Sequence, residues 1–163
     1  VYCILDEEGD EEGLTAIAAE RVRIRPAMGS GAVDHVIHPH ELPDDAHIVP
    51  NTSGKHYRGA NDSVIERYGH CFTVLAGTEG KIGVTHQCAN VSRPLHSVSK
   101  TCGPPGGIKH ATRDVFFNDV CVVVPPGIAA EILKRVKPIA KYDRGGTMYV
   151  GEMTMSSFHR QEP

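Results

Sequence analysis

Met28-Gly29-Ser30-Gly31-Ala32-Val33-Asp34-His35-Val36-Ile37 decides how the rest of this 163-residue chain is read. An apolar approach ends in Gly29-Ser30-Gly31, and the chain re-enters apolar sequence at Val36-Ile37. Glycine tolerates backbone conformations closed to other residues, so this stretch predicts a strand, a sharp turn and a second strand. On its N-terminal side, Arg21-Val22-Arg23-Ile24-Arg25 alternates charged and apolar residues up to Pro26, which predicts a half-buried strand entering the turn. On the other side, His38-Pro39-His40-Glu41-Leu42-Pro43-Asp44-Asp45 reads as a loop. His35, His38 and His40 raise the question of a metal. No Cys or carboxylate lies at zinc-ligand spacing beside them and Pro39 stiffens the segment, so solvated loop histidines and no metal are expected.

Further along, short alternating runs are separated by turn residues. Ile48-Val49-Pro50 predicts a short strand, and Gly59-Ala60-Asn61-Asp62-Ser63 predicts the tip of a hairpin, because Asn and Asp accept positive φ. Cys71 to Leu75 and Lys81 to Cys88 alternate about a loop at 76–80, which predicts a second hairpin. Asp114 to Phe117 and Cys121 to Val124 predict two strands joined at Asn118-Asp119. The Cys-Val-Val-Val run is apolar on both faces and reads as a central or interface strand. Ile128, Ala129, Ile132, Leu133 and Val136 fall on one side of a helix that Pro138 stops. That apolar side is expected to pack on the core, with a partner as the alternative. Met148 to Met155 predicts a last strand, and 156–163 a linker. The N-terminal stretch has apolar 1–5, acidic 6–12 and Ala-rich 14–20, and predicts a solvated extension with two helical turns.

The turn and its surroundings resemble the active-site region of retropepsin-like aspartic peptidases, in particular the copia-type retrotransposon family. The family pattern is Asp-Ser-Gly-Ala-x-x-His, and Ser30, Gly31, Ala32 and His35 match it. Gly29 stands where the catalytic aspartate belongs. Gly59, Ala60, Asn61 and the run from Ile65 to Gly69 are similar to the family's flap, the hairpin that closes over substrate, and Asp62 lies at its tip. Val91, Leu95, Ser97, Val98 and Ser99 match a segment that packs beneath the turn, with His96 in place of an apolar residue. The likeness spans roughly 21–126. It implies an acidic extension at 1–20, a closed retropepsin-like β-barrel with a flap at 21–126, and a C-terminal helix and extension at 127–163.

An aspartic peptidase holds two carboxylates about 3 Å apart, one protonated and one not, and retropepsins draw one from each of two identical chains. A homodimer of this chain would bring two glycines together. Asp34 lies five residues on, about 15 Å along an extended chain at about 3.3 Å per residue. It is not expected to substitute, and Ser30 without a base is not a nucleophile. His70 and Cys71 are neighbours on a strand and point to opposite faces. The expected site is therefore a degenerate one at Gly29, Ser30 and Gly31, with Gly59 to Asp62 as flap, and no cofactor.

Composition bounds the alternatives. No apolar run approaches the length of a membrane-spanning helix, and no secretory signal is visible. A net charge of -3 with no basic block gives nucleic acid no obvious footing. Neither a phosphate-binding Gly-rich loop nor a Gly-x-Ser-x-Gly elbow is present, since Gly29-Ser30-Gly31 has the wrong spacing. Five cysteines without a Cys-x-x-Cys pair predict reduced, mostly buried thiols and a reducing compartment. A chain that begins with Val suits either a fragment or a piece cut from a polyprotein. Two function classes follow: an inactive peptidase domain of retrotransposon descent, homodimeric through the Gly29 turn, or a non-catalytic binding or structural subunit of a larger assembly.

Overall fold

The computed structural model describes residues 21–77, 80–104 and 112–157. It is mainly β. Twelve strands run in chain order: β1 Ala27–Gly29, β2 Val36–Ile37, β3 Val49–Pro50, β4 Tyr57–Arg58, β5 Val64–Ile65, β6 Arg67–Ala76, β7 Lys81–Ala89, β8 Leu95–Ser97, β9 Asp114–Phe117, β10 Cys121–Val124, β11 Asp143–Gly145 and β12 Met148–Val150. Helix α1 is Val98–Cys102 and helix α2 is Ile128–Arg135.

The longest elements come from the clearest alternation. β6 and β7 pair antiparallel from Arg67↔Ala89 to Ala76↔Lys81, with a register shift between Arg67 and Gly69. One face of this hairpin buries Cys71, Val84 and Cys88, while Phe72 and Val74 on the other face are exposed. Gly69 is required by close approach: a Cβ there would meet the Val49 carbonyl oxygen, where β3 crosses β6. Cys71 and Cys88 join Ile37 and Leu42 in a small core, with Ile24, Ala46 and Ile48 packed on it.

β3, β6 and β7 belong to a six-stranded sheet of order β1-β8-β2-β7-β6-β3. Its far side is built by insertion. β8 runs parallel to β1, with Ala27↔Leu95, Met28↔His96 and Gly29↔Ser97, and antiparallel to β2 at Val36↔Leu95. The strands before and after the glycine turn are thus held apart by a strand from some sixty residues later, rather than paired with each other. β2 continues the sheet through parallel pairing with β7. Hairpins β4–β5, β9–β10 and β11–β12 each pair only within themselves.

Four expectations change. The expected closed barrel is absent among the described residues: the sheet is open, with β1 and β3 as its edges. Closure needs strands long enough to tilt and stagger around a ring, and those edge strands have three and two residues. Residues 21–25, expected to lengthen β1, are not in a strand, and only Ile24 reaches the core. The helix is present at 128–135, but none of its residues is buried, and β10 is an exposed strand of a two-stranded sheet rather than a central one. The acidic extension 1–20 and most of the C-terminal linker lie outside the described residues.

Candidate functional site

The turn between β1 and β2 is closed by Ala32 N–H donating to the Gly29 carbonyl at 3.4 Å. Gly29 is half-buried, Ser30 and Gly31 are exposed, and residues 29–33 carry no ionisable group. Gly29 is not there for lack of room. A Cβ at this position would lie 3.9 Å from the Ala32 Cβ, an ordinary contact.

Beneath the turn, β8 passes into α1 through Ser97. Its Oγ accepts from Lys100 N–H at 3.2 Å and shares a hydrogen bond with Ser99 Oγ at 3.0 Å, while Thr101 Oγ1 donates to the Ser97 carbonyl at 2.7 Å. A serine oxygen that satisfies a free N–H of the first turn is the usual way to start a helix. Arg144 of β11 closes the other end by donating to the carbonyls of Ser99 and Gly103.

Gly59 to Asp62, which the resemblance reads as a flap, lie where a hairpin is expected, between β4 and β5. Gly59 N–H donates to Ser63 O at 2.9 Å, Asp62 N–H to Gly59 O at 3.0 Å, and Ser63 Oγ to Asn61 Oδ1 at 2.6 Å. Asp62 takes φ of +62° and Ala60 stays exposed. Hairpin β4–β5 is tied to the turn by a residue that no sequence pattern singles out. Tyr57 Oη donates to Asp34 Oδ2 at 2.8 Å, and Lys100 Nζ lies 3.6 Å from Asp34 Oδ1. Burial and the Asp34 carboxylate both raise the Tyr57 pKa well above the usual phenol range, so the hydroxyl keeps the proton it donates. The Arg67 guanidinium lies 5.5 Å over the Tyr57 ring and is itself held by Gln87 Oε1 at 2.6 Å. The Asp34 carboxylate is therefore committed to flap and helix.

The second unforeseen feature is a cluster of three histidines on adjacent strands. His35, entering β2, is 5% exposed rather than a solvated loop residue, and His86 of β7 is 1% exposed. His96 of β8 lies between them, with ring centroids 5.1 Å from His35 and 5.4 Å from His86. Ser97 N–H donates to His35 Nδ1 at 3.1 Å, which leaves the proton of the neutral His35 ring on Nε2. Thr73 Oγ1 lies 3.3 Å from Val84 O and 2.8 Å from His86 Nδ1. His86 Nε2 and His96 Nε2 lie 3.3 Å apart and share one hydrogen bond. Burial, with the neighbouring histidines and Lys100, pushes the His35 pKa down to about 3. Burial and His96 push His86 down to about 4, and burial lowers His96 as well. The only trace of this cluster in the sequence is His96 at a position where an apolar residue fits the pattern.

His38 and His40 face each other outside the cluster, with His40 N–H donating to His38 Nδ1 at 3.2 Å. Among the described residues, no group of three His, Cys, Asp or Glu side chains is arranged to hold a metal ion. Cys71 and Cys88 are buried thiols, but Cys102 is half-buried and Cys121 exposed, short of the mostly buried set expected. Two open grooves, of about 270 and 370 Å³, run beside Val91-to-Leu95 and beside Pro50-to-Lys55, and neither includes Gly29. No described helix is long and apolar enough to cross a membrane. Set against known proteins, the chain matches no family model, no curated protein and no solved structure.

Proposed function

We propose that this chain is a retropepsin-like domain of retrotransposon-polyprotein descent, with an open sheet in place of the closed barrel, that has lost its peptidase chemistry and acts through protein or peptide binding. The observation that carries the loss of activity is the content of the turn. Its apex offers Gly29 in register with Ser97, and the next carboxylate, Asp34, is held by Tyr57 and Lys100. Peptide hydrolysis by this class needs a carboxylate base to activate water, and removing a general base costs about 10²–10⁴ in rate even where other catalytic groups remain. A two-fold dimer about the Gly29 turn supplies none.

The alternative role, a subunit of a larger hetero-assembly that reuses the fold, draws support from uncovered apolar surface. Val122 and Val123 of β10 and Ile128, Ile132 and Leu133 of α2 are all more than 40% exposed. Exposed apolar side chains on this hairpin and on the helix that follows it support a role in contacts with a partner.

Peptidase assays on the purified chain and on Gly29→Asp test the reading. The ordinary contact met by a Cβ at residue 29 means that the variant should fold. The unmodified chain is expected to be inactive, and pepstatin-sensitive cleavage by it would overturn the proposal. Pepstatin-sensitive turnover gained by Gly29→Asp supports the peptidase descent. A folded, dimeric Gly29→Asp without turnover removes that descent and leaves the assembly subunit.

A further inference from the structure

The histidine cluster joins strands that are remote in sequence. His35 leads into β2, His86 lies in β7, His96 lies in β8, and Thr73 of β6 anchors His86. Two of its hydrogen bonds need an unprotonated ring nitrogen. A proton added to His35 Nδ1 would set N–H against the Ser97 N–H that now donates to it. His86 Nε2 and His96 Nε2 share one hydrogen bond, and a proton on both would set N–H against N–H. Among the described residues, the charged groups around the cluster favour the neutral rings. Lys100 of α1 is a cation, the other two histidines are like groups, and the neighbouring carboxylate of Asp34 is shared between Lys100 and Tyr57. β8 carries Ser97, which holds Gly29 on one side and starts α1 on the other.

We propose that His35, His86 and His96 form an acid-sensitive clasp: neutral, they hold β8 between β1 and β2, and proton uptake releases β8 together with the turn and α1, while hairpin β6–β7 stays paired. The sign follows from where the protons bind. In the clasped state His35 and His86 take protons only at about pH 3 and 4, against about 6.5 for an exposed imidazole. The opened state therefore binds protons first, and opening is favoured as pH falls below about 6.5. Each histidine freed raises the opening constant about 15-fold between pH 6.5 and 5, because an exposed ring is already half charged at pH 6.5, so two raise it about 200-fold.

Amide hydrogen exchange on the full chain reads this directly, as protection factors corrected for intrinsic rates. Protection of the Ser97 amide is expected to fall about 200-fold from pH 6.5 to 5, while amides of the β6–β7 ladder keep theirs. In His35→Asn the side-chain oxygen still accepts from Ser97 N–H but does not titrate, so the Ser97 slope is expected to drop to about 15-fold over that range. An unchanged slope in that variant, Ser97 protection independent of pH, or simultaneous loss of Ser97 and hairpin protection would each overturn the proposal. Nitrogen NMR of the unmodified chain stands apart from any folding defect in the variant. It is expected to show His35 as the Nε2–H tautomer and His86 as a neutral ring at pH 5.5. A His35 ring that is charged at that pH with Ser97 still protected would refute the clasp.

Discussion

Replacing Tyr57 by Phe removes one hydroxyl from the contact that pins the flap to the turn. The flap has little else to hold it. β4 and β5 contribute two residues each, and a hairpin of that size is not stable alone. A hydrogen bond to a charged acceptor contributes about 1.5–3 kcal/mol. Here the acceptor is shared with Lys100, and the Asp34 side chain is 26% exposed, which argues for the low end. Tyr57→Phe should thus weaken flap closure by about 1.5 kcal/mol, roughly a tenfold gain in opening. The stacking of Arg67 on the ring remains, so the hairpin should open more often without dissolving. A fluorophore pair on exposed Ser30 and Ala60 measures it, as the fraction of molecules in which the intact hairpin has left the turn. A double-mutant cycle with Asp34→Ala isolates the pair, and a coupling near 1 kcal/mol or more is expected. Opening changed less than twofold by Tyr57→Phe, or a coupling indistinguishable from zero, would refute a flap held by this contact.

Three other outcomes follow from single contacts. Gly69→Ala forces a Cβ against the Val49 carbonyl, which β3 escapes only by leaving the sheet; urea unfolding should show a loss of about 2–4 kcal/mol. Gly31→Ala, where a Cβ meets nothing within 4 Å, should stay within about 0.5 kcal/mol. Asp114→Ala removes the Oδ2 that accepts from Ala129 N–H at 2.8 Å in the first turn of α2, and should cost about 1 kcal/mol with a fall in helical circular dichroism. Acid should destabilise the whole fold, because His35 and His86 are neutral when folded and titrate near 6.5 when unfolded. Between pH 7 and 5 the unfolding free energy should drop by about 4 kcal/mol, and a urea midpoint constant over that range would contradict the buried, neutral assignment.

What could be read from the sequence was what neighbours in the chain decide. The hairpin of β6 and β7, the flap turn with positive φ at Asp62, and the helix after Gly127 all follow from spacing and local conformational preference. Which surfaces those elements cover does not. The periodicity of α2 is real, yet its apolar stripe finds no cover within the described chain, because periodicity states a preference and not a partner. Barrel closure failed for a related reason: strands of two and three residues have no pattern strong enough to specify their neighbours. The site was legible as a turn without an acid. It was not legible as a histidine cluster, because His35, His86 and His96 meet only once β8 has entered beside β2. Asp34 reads in the sequence as a misplaced acid, and no local pattern links it to Tyr57, twenty-three residues on, which claims it.

The position of β8 also bears on how the protein is made. On a ribosome, β1, the glycine turn and β2 emerge long before residue 95, and they cannot settle until the strand that separates them has been synthesised. Closing that distance is slow, since non-local pairing must first overcome the entropy of the intervening loop. Nascent chains that end before Leu95 should thus leave the N-terminal third of the sheet open to proteases and chaperones, and acquire resistance there only as the strand from Leu95 to Ser97 clears the exit tunnel.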